Sequence, residues 1–472
     1  MKGQPFTRHF LVLLGGTATS QLILVAITPI LTRLYSPDSF GLIAILTGIL
    51  SVLTVLSSLR YAQVLAIVNS DLERNNILFL CNGITIINFV LSVILIRMFG
   101  QSILDWFDTS VDPVIMWLVP IGFLFAGAQN TYRLLHIGRR NFQIIAISQV
   151  TKTMATVILQ LSLFTFGEVG ISIGYILGFG FAALVMLVPV LRVAVLSPEW
   201  SLVGILKAAY RYKDFPIYSS WAGLINNINQ YLPYFIFPFY FGVVGTGLFL
   251  LAHRMTFAPV SMLIKTTADV LMPYAAEAHH EGRLDALVLR TIATLTAIAS
   301  IPCVLIAVVS PYIFPMLFGS EWALSGELAK YIAIAVFFNT IGNPISRLIP
   351  ILERQGVGLG FNIIMFIVRS VAIFMGAMQN SIVLATLYFS ISSAIVWCGY
   401  ILIIAHLSGA SWIRSIMLMI RFILFPVVAF VPYWFTAFFS NGDHLTYAFM
   451  GFGFIVVIAY GLYATRQGFI KS

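Results

Sequence analysis

Apolar positions run through this chain in long blocks, each interrupted by only a few polar residues. A helix needs roughly 20 apolar residues to cross about 30 Å of hydrocarbon. About fourteen blocks meet that length: 9–32, 40–67, 77–99, 113–134, 144–166, 169–192, 215–241, 244–271, 289–317, 328–350, 357–378, 381–406, 413–439 and 444–465. Barrel strands would alternate apolar with polar residues, and these runs are continuously apolar, so they read as helices. Very short turns, around Gly167 with Glu168 and around Gly242, join two of the pairs. No hydrophilic run is long enough for a separate soluble domain. The expected fold is an all-α polytopic membrane protein.

Composition agrees. The 472 residues are 60% hydrophobic and 9% charged, against about 45–50% apolar and about 25% charged in soluble proteins. The net charge of +9 invites a nucleic-acid reading, but no basic-aromatic module accompanies it. Its distribution has another meaning. With the amino terminus in the cytoplasm, only Arg33, Arg97 and Lys330 fall in external loops, six cations lie within spans, and the other 17 are cytoplasmic. Such a bias supports both the count and an orientation with both termini cytoplasmic. The external loops carry Asp105, Asp108, Asp112, Glu168, Glu321 and Asp443 instead. Met1–Gly16 lacks an A-x-A cleavage site and is expected to be part of a retained first helix. Cys81, Cys303 and Cys398 all sit in apolar segments and suggest neither a disulfide framework nor a metal site.

A weak repeat divides the chain. Thr32-Arg33-Leu34-Tyr35 through Phe40-Gly41-Leu42 joins spans one and two, and Pro238-Phe239-Tyr240-Phe241-Gly242 through Gly247-Leu248 joins spans seven and eight. This register places Gln21 opposite Asn227 and Arg60 near Lys265. It implies two pseudo-symmetric six-helix lobes, 1–196 and 215–408, a cytoplasmic linker at 197–214, and two additional helices in 409–472. The linker holds Trp200, Lys207, Arg211 and Lys213, which fits an amphipathic segment on an anionic leaflet.

Several charges lie inside the spans, where each costs roughly 2.5–3.5 kcal/mol on insertion scales and therefore faces a bundle interior or an aqueous cavity. The cations are Arg60, Lys152, Arg254, Lys265, Arg369 and Arg421, and the clearest acid is Asp269. Cations exceed acids, as an anionic ligand would require. Two readings stand for several of them. Lys265 and Asp269, four residues apart, either pair with each other or act separately. Arg60, Arg254 and Arg421 either snorkel to an interface or line a cavity. Asn226, Asn229 and Gln230 share a face of span seven, as interhelical glue or as a lining for hydroxyl-rich cargo. Pro29 and Pro233 hold comparable places and favour kinked helices. His279-His280 with Glu277 and Glu281 reads as a solvated loop, because adjacent histidines point to different helix faces. No phosphate-cradling glycine loop is present, so active transport would draw on a proton or sodium gradient or an external partner.

Leu31-Thr32-Arg33-Leu34-Tyr35-Ser36-Pro37-Asp38-Ser39-Phe40-Gly41 followed by Ser58-Leu59-Arg60-Tyr61 resembles the polysaccharide biosynthesis (Wzx-type) flippases of the multidrug/oligosaccharidyl-lipid/polysaccharide exporter superfamily. Asp214-Phe215-Pro216-Ile217-Tyr218-Ser219, Gly247-Leu248-Phe249-Leu250-Leu251-Ala252-His253-Arg254 and Pro273-Tyr274-Ala275-Ala276-Glu277-Ala278 extend the likeness. The resemblance implies two six-helix lobes around a central cavity, plus two further helices. It implies a transporter rather than an enzyme. The expected cargo is an undecaprenyl-pyrophosphate-linked oligosaccharide, moved by alternating access from the cytoplasmic to the periplasmic leaflet of a bacterial inner membrane. The product would be O-antigen (and so lipopolysaccharide), capsule or exopolysaccharide. Related chains often carry an acid after the Arg-Tyr pair, whereas Ala62 and Gln63 follow here, which either puts more weight on Asp269 for ion coupling or leaves coupling without an assigned acid.

Under that reading Arg60, Lys152, Arg254, Lys265 and Arg369 bind the pyrophosphate, and Asn226, Asn229 and Gln230 bind the sugars. No catalytic residue, metal or cofactor is expected. The expected partners are the lipid-linked oligosaccharide, membrane lipids, and the polysaccharide polymerase and chain-length machinery, with no nucleic acid. Two alternatives are an ion-coupled drug or metabolite exporter of the same superfamily and a membrane-embedded glycosyltransferase or polymerase. The last would need a sizeable external catalytic loop, and the external loops here are short.

Overall fold

A computed structural model describes residues 4–68, 70–106, 112–196 and 200–432, with isolated positions 451, 453 and 456 beyond them. The side chains of Lys265 and Asp269 lie outside the described set. The described residues are helical throughout, without strands. Among them, 12 segments are long and apolar enough to cross a membrane. One of these, Phe215–Ser261, has 47 residues and turns back at Gly242, so it holds two crossings. The end of the expected span 413–439 and most of span 444–465 lie outside the described residues.

The chain separates into two compact units, Met1–Leu250 and Leu251–Ser472. This boundary follows packing, whereas the linker at 197–214 follows connectivity. The first unit contains α1 (Gln4–Leu34), α2 (Pro37–Leu56), α3 (Asp71–Trp106), α4 (Val114–Gly138), α5 (Phe142–Ser162), α6 (Gly167–Leu196), α7 (Leu202–Arg211) and the first part of α8 (Ser220–His280). Helix α1 packs on α5, α5 on α6, α6 on α4, and α4 on α3, while α2 lies against α4 and α6. The second unit contains the rest of α8, then α9 (Leu284–Phe318), α10 (Ala323–Ser346), α11 (Gln355–Ala377), α12 (Ile382–Leu407) and α13 (Trp412–Ala429). There α10 packs between α9 and α12, α11 packs on α12, and α13 packs on α9.

Local chemistry sets the ends of α2. Ser36 is extended, Pro37 opens the first turn, and Asp38 follows. Proline costs little where the amide would be unpaired anyway, and the carboxylate favours the positive end of the helix dipole. The far end corrects the sequence reading. The apolar run 40–67 does not form one helix. Helix α2 stops at Leu56, Leu59 and Arg60 take positive φ of 46° and 64°, and Tyr61–Ala66 forms a 3-10 turn. Hydropathy cannot show this break, because the residues on both sides are apolar. The break is held by packing: Tyr61, Val64 and Leu65 are buried with Ile77, Leu135 and Met186.

The weak repeat does not extend to this feature. The second crossing of α8 has no such break, and Gly242, with φ of 69°, is its only non-helical position. No atom lies near the place a Cβ would take at Gly242. Glycine is therefore needed there for its backbone conformation rather than for room.

Candidate functional site

Irregular backbone at membrane depth requires that each freed polar group find a partner. The break after α2 meets that requirement. The Leu56 carbonyl accepts from the Leu59 amide at 3.2 Å and from Asn88 Nδ2 at 3.0 Å. The Ser57 carbonyl accepts from Thr85 Oγ1 at 2.9 Å, the Ser58 carbonyl from the Tyr61 amide at 3.0 Å, and the Arg60 carbonyl from the Gln63 amide at 2.9 Å. Two side chains of α3 thus do what a further helical turn would have done. The left-handed conformation costs a non-glycine residue about 1–2 kcal/mol, and two such residues stand in succession.

What this arrangement delivers is Arg60. Its side chain enters a cavity of about 570 Å³ inside the first unit. Helix α2 supplies Thr47, Ser51 and Thr54, and the break after it Ser58; α4 supplies Asn130 and Arg133; α5 supplies Lys152. Tyr175 and Phe179 come from α6, and Asn226, Asn227 and Tyr231 from α8. Three cations line this space, and no Asp or Glu is among its lining residues. Arg60 Nε is buried without a hydrogen-bond partner. Lys152 Nζ stands 3.2 Å from the centre of the Phe179 ring, a cation–π contact. Arg133 Nη2 donates to Asn130 Oδ1 at 3.3 Å. Thr47 Oγ1 donates to the Tyr175 hydroxyl at 2.9 Å, and Asn227 Nδ2 donates to the Ser51 carbonyl at 2.9 Å. The guanidinium of Arg60 lies directly against Gly223, where any Cβ would collide with it. The cations are thus held by rings, amides and backbone, which leave their charge uncompensated for an anion to complete.

The structure brings together only some of the residues expected from sequence. Arg60, Lys152 and Asn226 line the cavity. Asn229 is buried and Gln230 is exposed, and neither is part of its lining. Asn227 takes a place there instead. Arg254 and Arg369 belong to the second unit. Arg369 Nε donates to Ser393 Oγ at 2.8 Å, and its guanidinium stands 4.9 Å from the centre of the Phe389 ring. The expectations for Lys265 and Asp269 fall on side chains outside the described set. Arg421 is exposed on α13. Arg133 is the residue that sequence reasoning missed by assigning it to the cytoplasmic end of span four. Helix α4 continues to Gly138, so Arg133 lies more than a turn inside it. The signal was the continued apolar run to Ile137 and the Asn130–Arg133 spacing of three.

The profile of a family described as polysaccharide biosynthesis protein matches residues 30–327. The chain belongs to that family. One relative is similar over most of the length: the succinoglycan biosynthesis transport protein ExoT of Rhizobium meliloti (strain 1021). It is 25% identical over 425 residues, 88% of this chain and 82% of the relative. Among solved structures, the lipid II flippase MurJ in an inward closed conformation superposes with a TM-score of 0.74 at 12% identity, covering 97% of this chain and 98% of that one. An inward-facing multidrug resistance MATE family transporter of the MOP superfamily superposes with a TM-score of 0.63 at 15% identity, covering 84% of this chain and 95% of that one. At such identities the likeness is one of fold. Family and fold together identify a multi-pass membrane protein of the transporter type used in polysaccharide biosynthesis.

Proposed function

We propose that this protein carries an undecaprenyl-pyrophosphate-linked oligosaccharide from the cytoplasmic to the periplasmic leaflet of a bacterial inner membrane, for surface or secreted polysaccharide assembly. The observation that carries the reading is the cavity lined by Arg60, Arg133 and Lys152 without an acid. A pyrophosphate ester supplies the missing negative charge. The amides of Asn226 and Asn227 and the hydroxyls of Tyr175 and Tyr231 suit sugar hydroxyls and ring faces. A family relative is a succinoglycan biosynthesis transport protein, and the fold is shared with a lipid II flippase. Asp269 is the proposed proton- or sodium-coupling group.

The fold is shared also, though less closely, with a multidrug transporter, which gives the second reading. A cavity lined by two arginines and a lysine with no acid disfavours cationic drugs, so such cargo would have to be anionic or neutral. Removal of the gene followed by lipid extraction separates the two. A flippase leaves lipid-linked repeat units accumulated on the cytoplasmic face. Complementation by a chain with Arg60, Arg133 and Lys152 all replaced by alanine, at matched expression, should fail. Normal surface glycan in the triple variant would remove the cavity assignment.

A further inference from the structure

Helix α7 has ten residues and two unlike faces. Ala208, on one face, is 4% exposed and packs in the buried cluster that contains Tyr61, Leu65 and Ile77. The other face carries Leu202, Val203, Leu206 and Tyr210, which are 71%, 62%, 70% and 74% exposed. Lys207, Arg211 and Lys213 are exposed beside them.

The attachments of α7 fix its direction. At its start, the Ser201 amide donates to Asn76 Oδ1 at 3.0 Å. At its end, Arg211 Nη1 pairs with Glu73 Oε1 at 2.9 Å, and the Tyr212 hydroxyl donates to the same oxygen at 3.1 Å. Burial, and then that bond to Glu73 and its charge, raise the Tyr212 pKa, against a smaller opposing pull from Arg211. Ten helical residues extend about 15 Å, whereas Glu73 and Asn76 are separated by only about 4.5 Å along α3. Helix α7 therefore lies across the end of α3. Because α3 crosses the membrane from Asp71 onward, α7 lies in the plane of the interface. Its apolar face continues into the belt around it: the ring of Trp200 packs, tilted, against the half-exposed Phe79 of α3 with centroids 4.8 Å apart, and Ile217, Tyr218 and Trp221 are exposed where α8 begins.

We infer that α7 docks its Leu202–Tyr210 face into the cytoplasmic leaflet, with Lys207, Arg211 and Lys213 on anionic lipid headgroups, and so straps the turn that presents Arg60. The link to that turn is the Tyr61 hydroxyl, which donates to the Ala209 carbonyl at 2.9 Å. Exposed apolar side chains beside a basic row match an anionic leaflet in both area and charge. The docking surface is independent of what the cavity carries. Only its bearing on Arg60 rests on the proposed function.

The test uses the full chain in vesicles of phosphatidylcholine, with and without phosphatidylglycerol. An environment-sensitive fluorophore is placed at Leu206→Cys or, for contrast, at Lys207→Cys, with Cys398→Ser as background because Cys81 and Cys303 are buried. The Leu206 probe should shift to the blue and be quenched by lipids spin-labelled near the headgroup, more strongly with phosphatidylglycerol present. The Lys207 probe should remain closer to water. Lys207→Gln and Lys213→Gln should each lower the docked-to-undocked ratio by about fivefold. A Leu206 probe that reports water in both vesicles overturns the docking. So does shielding that develops only when a cytoplasmic protein is added.

The coupling is read separately, by thermal stabilisation with inorganic pyrophosphate. Stabilisation should be stronger with phosphatidylglycerol, and Tyr61→Phe should weaken that dependence while the Leu206 probe stays docked. Pyrophosphate stabilisation that ignores the lipid overturns the coupling. Its complete absence in every vesicle counts against the cavity reading instead, and leaves the docking standing.

Discussion

Arg60, in the turn that follows α2, and Arg369, within α11, stand one in each compact unit and are treated in opposite ways. Arg369 is satisfied by its own unit, with Nε on Ser393 Oγ and the guanidinium over Phe389. Arg60 is brought to a cavity by two left-handed residues, with Nε buried and unpartnered, beside two more cations. The difference teaches that an excess of intramembrane cations is not one signal. A cation bonded to a hydroxyl and a ring holds helices together. A cation presented by strained backbone to a polar space is held ready for something outside the chain.

The sharpest way to break the comparison is to remove the charges one at a time. Arg60→Ala or Lys152→Ala should each weaken pyrophosphate binding by about 1.5–3 kcal/mol, roughly ten- to a hundredfold, as for loss of a charge-assisted hydrogen bond. Arg369→Ala should lower the melting temperature and leave that affinity unchanged. Equal effects of all three on affinity would erase the distinction. A smaller effect is expected at Gly223→Ala, whose Cβ meets the Arg60 guanidinium. Forcing it aside should cost about 1–3 kcal/mol and reduce transport with the arginine still present. Gly83→Ala in α3, where a Cβ meets nothing, should leave both transport and stability intact. An effect on the same scale as that of Gly223→Ala should come from Thr85→Val, which takes the donor from the Ser57 carbonyl. A loss of about 1–3 kcal/mol in stability, with a lower pyrophosphate affinity, would show that α3 sustains the turn.

The fold was largely legible in the sequence, because the bilayer demands long apolar runs and penalises every exception. The short turn at Gly242 and the amphipathic helix between α6 and α8 both followed from that demand. The site was legible in part. Arg60 and Lys152 stood out as charges in costly places. Arg133 did not, since an arginine near a span's end has the cheaper explanation of reaching the interface, and only the length of α4 shows otherwise. Asn227 escaped because the spacing of Asn226, Asn229 and Gln230 defines a tidier stripe than the one that faces the cavity. The break at 57–60 left no trace in hydropathy, because packing by Tyr61 and Leu65 and donors from α3 create it.

The reversal at Gly242 has a consequence for biogenesis. The first crossing of α8 carries Asn226, Asn227, Asn229, Gln230 and Pro233, a poor candidate for leaving the translocon alone. A one-residue turn joins it to the apolar stretch after Val243, so the pair can partition into lipid as a helical hairpin, the second arm carrying the first. The polar groups that serve the cavity are then tolerated during synthesis because their neighbour is greasy enough for both.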